Sequence, residues 1–202
     1  MGAAPVGTLA FVSVAILVAL IPGAADALEY ERSRVVEDAQ VWRLLSAQLV
    51  HWNARMAATD LAVVLLLGIW AERRRPSVTR AMVLSGLPLV GIGLHVGAPG
   101  LQSYRGSSPL ASALFVLVAM TILLDAPTRS KRGLALAALV LLALKLLREA
   151  WTGEAFFAGP LPAGVVAVPF AHLLGAGLGF FCGWVGRPRR LRSGVHGSTT
   201  RP

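Results

Sequence analysis

The sequence predicts an all-α membrane protein, a bundle of six transmembrane helices in one domain over residues 1–192. Of its 202 residues, 55% are hydrophobic and 14% are charged, whereas a soluble domain usually has about a quarter of its residues charged. The charges also cluster between long apolar stretches. About 20 apolar residues cross the hydrocarbon core as a helix, which predicts spans at roughly 5–25, 54–71, 79–98, 107–125, 132–149 and 163–186.

Basic residues indicate which ends of the spans face the cytoplasm. They concentrate in the turn after the second span, in the turn after the fourth and behind the sixth: Arg73, Arg74, Arg75 and Arg80; Arg129, Lys131 and Arg132; Arg187, Arg189, Arg190 and Arg192. We therefore expect a multi-pass membrane protein with both termini in the cytoplasm. The mixed-charge loop 26–53 then lies outside, and the polar tail 193–202 is expected to be disordered in the cytoplasm.

Two features complicate this topology. Lys145 and Arg148 lie near an outer end of the fifth span, against the charge rule, and are expected to extend toward the lipid headgroups. The first span also resembles a signal peptide, because residues 24–27 look like a small-residue cleavage site. No basic residue precedes Arg32, however, so the positive segment of a signal peptide is missing and an uncleaved span is favoured.

The composition also limits the classes of partner. The formal net charge is +9, but no basic helical face or stacking motif accompanies it, which argues against nucleic-acid binding. The single cysteine, Cys182, excludes an internal disulfide. No metal-binding motif is present in the sequence, so neither a metal nor another cofactor is expected. The lipid bilayer is the expected environment.

Ser108 and His172 are the candidate catalytic residues. Ser108 opens the fourth span after Gly106, which permits a tight turn, and before Pro109, which suits the first helical turn. His172 lies inside the sixth span, where an ionisable group is a functional candidate by default. Both spans run in the same direction, so a serine nucleophile and its base are expected at matching depth. The alternative is that the serine caps a helix and the histidine only satisfies a hydrogen bond.

A row of small residues suggests how these two helices meet. His172 shares one helix face with Gly175, Gly179 and Gly183. Glycines on such a face allow backbones to pack closely in lipid. The fourth span offers a matching face of small residues, comprising Ser108, Ala111, Ser112 and Ala119.

Three polar residues are candidates for supporting roles near the outer surface. Asp60 lies about two turns into the second span, so it is expected roughly 10 Å below that surface. It is a candidate to stabilise an oxyanion, to orient a water molecule, or to pair with Arg55 or Arg105. His51 and Asn53 precede the same span at the membrane interface.

Four segments together resemble the rhomboid family of intramembrane serine proteases, and within it the rhombosortases most. They are Trp42–Asn53; Asp60, where rhombosortases often have aspartate; Tyr104–Ser108 with Ser112–Phe115; and Ala150–Glu154 with Val168–Leu173. The resemblance covers about residues 40–185 and implies a rhomboid-like bundle with Ser108 and His172 as a catalytic dyad. It further implies a substrate with a C-terminal anchor made of a Gly-Gly motif, one transmembrane helix and a basic tail. The resemblance also implies a location in the bacterial inner membrane, with the active site open to the periplasmic side.

The sequence departs from the family pattern beside the nucleophile. Pro109 replaces the usual glycine, Met56 stands where a histidine commonly forms the oxyanion hole, and Gln48 replaces another frequent histidine. Methionine cannot donate a hydrogen bond. Either backbone amides, Asp60 or His51 compensate, or activity is low. A catalytically silent, rhomboid-like adaptor or chaperone for membrane helices is therefore the second hypothesis, and a small transporter is disfavoured because internal repeats are missing.

Overall fold

The computed structural model describes residues 3–125, 128–154, 161–162, 165 and 167–187. Within them, a helix lies at the position of each predicted span. These helices are α1 (Val6–Ala19), α5 (Ala54–Arg74), α6 (Pro76–Gly97), α7 (Ser108–Asp125), α8 (Arg129–Thr152) and α9 (Pro169–Val185). The predicted tail 193–202 lies outside the described residues.

The described helices support three membrane spans by length and composition alone. These are α5, α6 and α7, while α1 and α9 are shorter apolar helices. Helix α8 has 24 residues, but charged side chains lie in its first turn and near its last turns, which leaves fewer than 20 uninterrupted apolar residues. The predicted count of six spans is therefore not confirmed.

Two span boundaries differ from the prediction because of local backbone chemistry. Helix α1 ends at Ala19 instead of residue 25, since Pro22 follows and Gly23 adopts a left-handed conformation with φ 77°. Helix α9 begins at Pro169 instead of residue 163. Proline favours the first turn of a helix because its missing N–H has no intrahelical acceptor there.

Helix α7 lies at the centre of the packing. It contacts α5, α8 and α9, and 11 of its 18 residues are buried. A helix that is apolar on all sides suits such a position. The main core forms around its side chains Leu110, Leu114 and Leu117, with Val64 of α5 and Met82 of α6 packed against them.

The loop between α1 and α5 folds into a small cap, which the sequence analysis described only as a mixed-charge loop. Its elements are α2 (Ala24–Leu28), β1 (Tyr30–Glu31), α3 (Arg32–Val36), α4 (Arg43–Ser46) and a 3-10 helix (Ala47–Leu49). Strand β1 pairs antiparallel with β2 (Ser103–Tyr104), so that Tyr30 faces Tyr104. Buried Arg43 donates to the carbonyl oxygens of Asp26 and Glu29. The pairing of β1 with β2 joins the cap to the segment that leads into α7.

The opposite end of the bundle, here called the basic end, is held by arginines. Arg75 donates to the carbonyl oxygen of Gly186 at 2.7 Å and to Asp125 at 2.8 Å. Buried Glu72 accepts hydrogen bonds from the backbone N–H and hydroxyl of Thr8 and from Arg80. These contacts bring the first turn of α1, the α5–α6 turn and the last turns of α7 and α9 together.

Candidate active site

Ser108 and His172 form a hydrogen bond at the end of the bundle opposite the basic end. The distance between Ser108 Oγ and His172 Nε2 is 2.8 Å. Ser108 is the first residue of α7, and His172 lies in the first turn of α9. The two side chains therefore meet because the two helices start at the same end and pack side by side.

The glycine face of α9 explains how closely these helices approach. A methyl group added at Gly175 would collide with the carbonyl oxygen of Pro109, and one at Gly179 with that of Ala113. At Gly183 it would lie 2.8 Å from Cβ of Met120. Larger side chains at these positions would push α9 away from α7 and separate the histidine from the serine.

Ser108 and His172 both line a cavity of about 230 Å³. Ser108 is half-buried, and His172 is 7% exposed. The rest of the wall comes from the start of α5, from the segment before α7 and from the segment before α9: Trp52, Met56, Gly100, Leu101, Gln102, Ser103, Tyr104, Arg105, Leu161, Val165, Ala167 and Val168. The candidate nucleophile is thus reachable by a small segment of another molecule.

A carboxylate stands on the far side of the histidine ring. Glu149 of α8 is 1% exposed, and its Oε2 lies 3.1 Å from His172 Nδ1, the ring nitrogen that does not face Ser108. The same carboxylate pairs with Lys145 at 2.8 Å. The lysine expected to extend toward the lipid headgroups is therefore paired inside the protein.

A second serine–histidine pair lies beside the first but is buried. His51 Nε2 is 3.0 Å from Ser107 Oγ, and the Ser107 N–H also points to it at 3.4 Å. Ser107 is 0% exposed, and neither residue lines the cavity. Burial lowers the pKa of His51 to about 4, so this histidine is neutral at physiological pH. The buried pair orders the turn before α7 and is closed to a substrate.

Asp60 belongs to the same buried cluster. Its Oδ2 lies 3.6 Å from His51 Nε2, and the backbone amides of Ser107 and Ser108 are within its reach. Arg105, one of the partners considered for it, pairs instead with Asp26 and Glu29 at 2.6 Å and 2.8 Å. Asp60 therefore supports the nucleophile segment from behind and does not line the cavity.

Asn53 and Met56 are linked at the start of α5. The Asn53 side chain accepts a hydrogen bond of 2.8 Å from the Met56 N–H, which makes it the N-cap of the helix. Met56 lines the cavity, and a Cβ added at Gly106 would lie 2.5 Å from its terminal methyl group. Gly106 has φ 137°, so the backbone conformation favours glycine there.

The residues that sequence reasoning missed are Glu149 and Tyr104. Glu149 carries a recognisable signal, since it is an ionisable residue four positions after Lys145 inside a predicted span. The Tyr104 hydroxyl lies beside the Ser108 side chain and donates to the Gly106 carbonyl oxygen at 3.2 Å. Burial raises the pKa of Tyr104, which keeps the phenol protonated and able to donate.

These features define a helical membrane protein with a serine–histidine pair in a cavity at one end of its bundle. Residues 38–189 match the family model described as Rhomboid domain. The match covers well over half of the sequence, and the chain belongs to the rhomboid family. A comparison with curated proteins gives no match. Members of this family are generally intramembrane serine proteases.

Proposed function

We propose that this protein is an intramembrane serine protease whose nucleophile is Ser108 and whose base is His172. The observation that carries the proposal is the 2.8 Å hydrogen bond between them on the wall of the cavity. A nucleophile in hydrogen-bond contact with its base is the arrangement that covalent catalysis requires. The family is generally proteolytic, which agrees with this chemistry.

The reaction follows from the positions of the two side chains. His172 Nε2 takes the hydroxyl proton while Ser108 Oγ bonds to the carbonyl carbon of the scissile peptide. The same nitrogen then protonates the leaving amine, and the C–N bond breaks to leave an acyl-enzyme. A water molecule, deprotonated by His172, hydrolyses the ester and regenerates Ser108.

The Ser108 backbone N–H is the candidate oxyanion donor, because helix α7 begins there and the first N–H groups of a helix have no intrahelical acceptor. Pro109 has no N–H, and the Ser108 N–H lies within reach of Asp60, so an oxyanion would compete with Asp60 for it. The Tyr104 hydroxyl lies beside Ser108, but it donates to the Gly106 carbonyl oxygen and can reach an oxyanion only if that hydrogen bond breaks. Met56 on the cavity wall supplies no hydrogen bond, so the oxyanion site contains one side-chain donor fewer than a histidine there would give.

The proposed substrate is a protein anchored in the bacterial inner membrane by a C-terminal helix. The likeness to rhombosortases suggests cleavage at a Gly-Gly motif that precedes the anchor and its basic tail, on the outer side of the membrane. The size of the cavity supports small residues at the cleavage site. At about 230 Å³ it is smaller than the roughly 300–1,000 Å³ typical of ligand pockets.

A labelling experiment with a fluorophosphonate, a serine-reactive probe, tests the nucleophile. We expect labelling of the wild type and of Ser107→Ala, and none of Ser108→Ala. The Ser107 variant is the matched control, because it removes the neighbouring hydroxyl that is buried against His51. Labelling that persists in Ser108→Ala and disappears in Ser107→Ala would instead identify Ser107 as the nucleophile.

A co-expressed anchored reporter tests proteolysis and the small-residue preference together. We expect cleavage by the wild type, none by Ser108→Ala or His172→Ala, and at least about a tenfold drop when the reporter's Gly-Gly becomes Val-Val. Equal processing of the reporter by the wild type, Ser108→Ala and His172→Ala would contradict the proposed protease activity. Equal cleavage of the Gly-Gly and Val-Val reporters would contradict only the proposed Gly-Gly selectivity.

The second candidate is a catalytically silent adaptor that binds transmembrane helices. It is favoured by Met56, which places an apolar thioether on the cavity wall where a donor is expected. This candidate predicts binding of the anchored reporter without cleavage and without fluorophosphonate labelling. The two hypotheses therefore give opposite results in the same assays.

A further inference from the structure

Glu149 stands where a serine protease triad has its third member. Its Oε2 lies 3.1 Å from His172 Nδ1 while Nε2 of the same ring faces Ser108 Oγ at 2.8 Å. The three groups come from α8, α9 and α7, so tertiary packing alone brings them together. The carboxylate is 1% exposed, and a buried carboxylate in a membrane bundle requires partners.

We propose that Glu149 is a positioning residue that converts the serine–histidine pair into a Ser108–His172–Glu149 triad. The inference rests on the proposed proteolysis and deepens it. With the carboxylate at Nδ1, the ring keeps its proton on that nitrogen and presents Nε2 as the acceptor. When Nε2 then takes the Ser108 proton, the negative charge of Glu149 stabilises the imidazolium. The proton stays on His172 until it passes to the leaving amine, and Glu149 receives none.

The geometry around Nδ1 fits a site without substrate. In this structure the Nδ1 atom is buried and has no aligned hydrogen-bond partner, although the Glu149 oxygen is within 3.1 Å. Catalytic hydrogen bonds are often poorly aligned before the substrate binds and tighten in the reacting complex.

Lys145 offsets the energetic cost of burying the Glu149 carboxylate. Its Nζ lies 2.8 Å from each of the two Glu149 oxygens, and the pair lies one helical turn apart on α8. An isolated charge inside a membrane bundle is strongly unfavourable, whereas a close pair is much less so. Lys145 thus compensates the charge of the carboxylate that contacts His172.

The test compares the wild type with a variant that lacks the whole ion pair. Lys145→Met/Glu149→Gln removes the carboxylate without leaving a buried lysine uncompensated. Lys145→Met alone leaves Glu149 buried without its cation, so it is expected to lose activity and stability as well. The double variant is expected to lose about 10- to 1,000-fold in kcat on the anchored reporter, with KM within about twofold, because the lost interaction forms in the transition state.

A double-mutant cycle with His172 separates positioning from stability. In a His172→Ala background, Glu149→Gln is expected to leave residual fluorophosphonate labelling unchanged, since residues that act as one unit are not additive. Glu154→Gln makes the same chemical change at an exposed carboxylate that pairs with Arg148, and it should leave kcat unchanged.

The outcomes distinguish this inference from the proposed function. A kcat of the double variant within about threefold of the wild type, with Ser108→Ala inactive, would overturn the triad and leave the dyad. A wild-type rate in Ser108→Ala would overturn the protease itself. A further loss on adding Glu149→Gln to His172→Ala, matched by a lower melting temperature, would assign Glu149 a structural role only.

Discussion

At the scale of single residues, burial decides which of two adjacent serines can be a nucleophile. Each serine has a histidine partner, at 3.0 Å for Ser107 and 2.8 Å for Ser108. The first pair is enclosed by protein, while the second lines the cavity. The two histidines differ in the same way. Burial keeps His51 neutral, whereas the His172 ring lies between the Ser108 hydroxyl and the Glu149 carboxylate.

Replacing Met56 by histidine is expected to increase activity. Met56 is on the cavity wall and offers no donor, and one oxyanion donor is typically worth about 100- to 1,000-fold in rate. We expect Met56→His to raise kcat on the anchored reporter by about tenfold, less than a preorganised donor contributes because the new ring is not held in place. Met56→Leu is the control of similar size, and it should match the wild type. A histidine variant no faster than the leucine variant would contradict this account of the oxyanion site.

The buried His51 predicts how stability depends on pH. Its pKa falls from 6.5 in the unfolded chain to about 4 in the folded protein because of burial. The unfolded state therefore binds the proton first as pH decreases. The stabilisation is complete above about pH 6.5 and is lost progressively toward pH 4, by about 3 kcal/mol in total.

Thermal unfolding in detergent between pH 8 and pH 4.5 measures this effect. His51→Gln keeps a polar partner for Ser107 but cannot titrate, so its melting temperature should decrease less than that of the wild type below pH 6.5. Carboxylates elsewhere titrate in both proteins and cancel in the comparison. Parallel curves over the whole range would show that His51 does not contribute.

At the scale of elements, the hydrogen bond between Ser108 and His172 depends on the packing of α7 against α9. Gly175 faces the carbonyl oxygen of Pro109, one residue from the nucleophile, whereas Gly177 has no atom within 4 Å of an added Cβ. The two glycines are two residues apart on one helix and share its backbone environment. They therefore form a matched pair for testing the packing.

Gly175→Ala is expected to damage both stability and activity, while Gly177→Ala is not. The added methyl group at Gly175 must displace α7, which costs about 1–3 kcal/mol. A displacement of about 1 Å between nucleophile and base lowers rates by about 100-fold. Melting temperature and reporter cleavage measure the two effects. Equal behaviour of the two variants would show that α9 does not need to pack this closely.

The sequence predicted the long helices but not all of the contacts between them. Helices α5, α6 and α7 follow from long apolar runs, and the glycine spacing identified the face of α9 that meets α7. The small-residue face predicted on α7 (Ser108, Ala111, Ser112 and Ala119) is not the one nearest these glycines, which lie against Pro109, Ala113 and Met120; because α7 is apolar on every side, its sequence pattern did not distinguish the two faces. Glu149 was missed because its role depends on the packing of α8 beside α9, which the sequence of α8 alone does not encode.

The cap over residues 24–49 was not predictable for a different reason. Its helices have five residues or fewer and its strand has two, and such short elements have little intrinsic stability. They depend on tertiary contacts, such as Arg43 with the carbonyl oxygen of Glu29 and Ser46 with that of Leu28. The strand pair between Tyr30 and Tyr104 joins positions 74 residues apart.

At the scale of the whole molecule, the two ends of the bundle differ in charge, and only one of them contains the cavity. Arg75 and Arg80 join α5 and α6 to the ends of α1, α7 and α9 at the basic end. The opposite end contains the cap and the cavity, where Arg105 is neutralised by Asp26 and Glu29. Arg73, Arg74, Arg129 and Lys131 also lie at the basic end, and by the positive-inside rule this clustering of basic residues supports the proposal that the candidate site faces the outside.

Reporter fusions test this orientation across the whole chain. Alkaline phosphatase, which is active only outside the cytoplasm, is fused after residues 38, 75, 100, 128, 153 and 202. The positive-inside rule and the clustering of arginines at one end of the bundle predict activity after 38, 100 and 153 only. The fusion after 153 is the most informative, because α8 is the helix whose apolar stretch is interrupted by Lys145 and Glu149. Equal activity after 128 and 153 would mean that α8 does not cross the membrane, and inverted activity throughout would place the cavity in the cytoplasm.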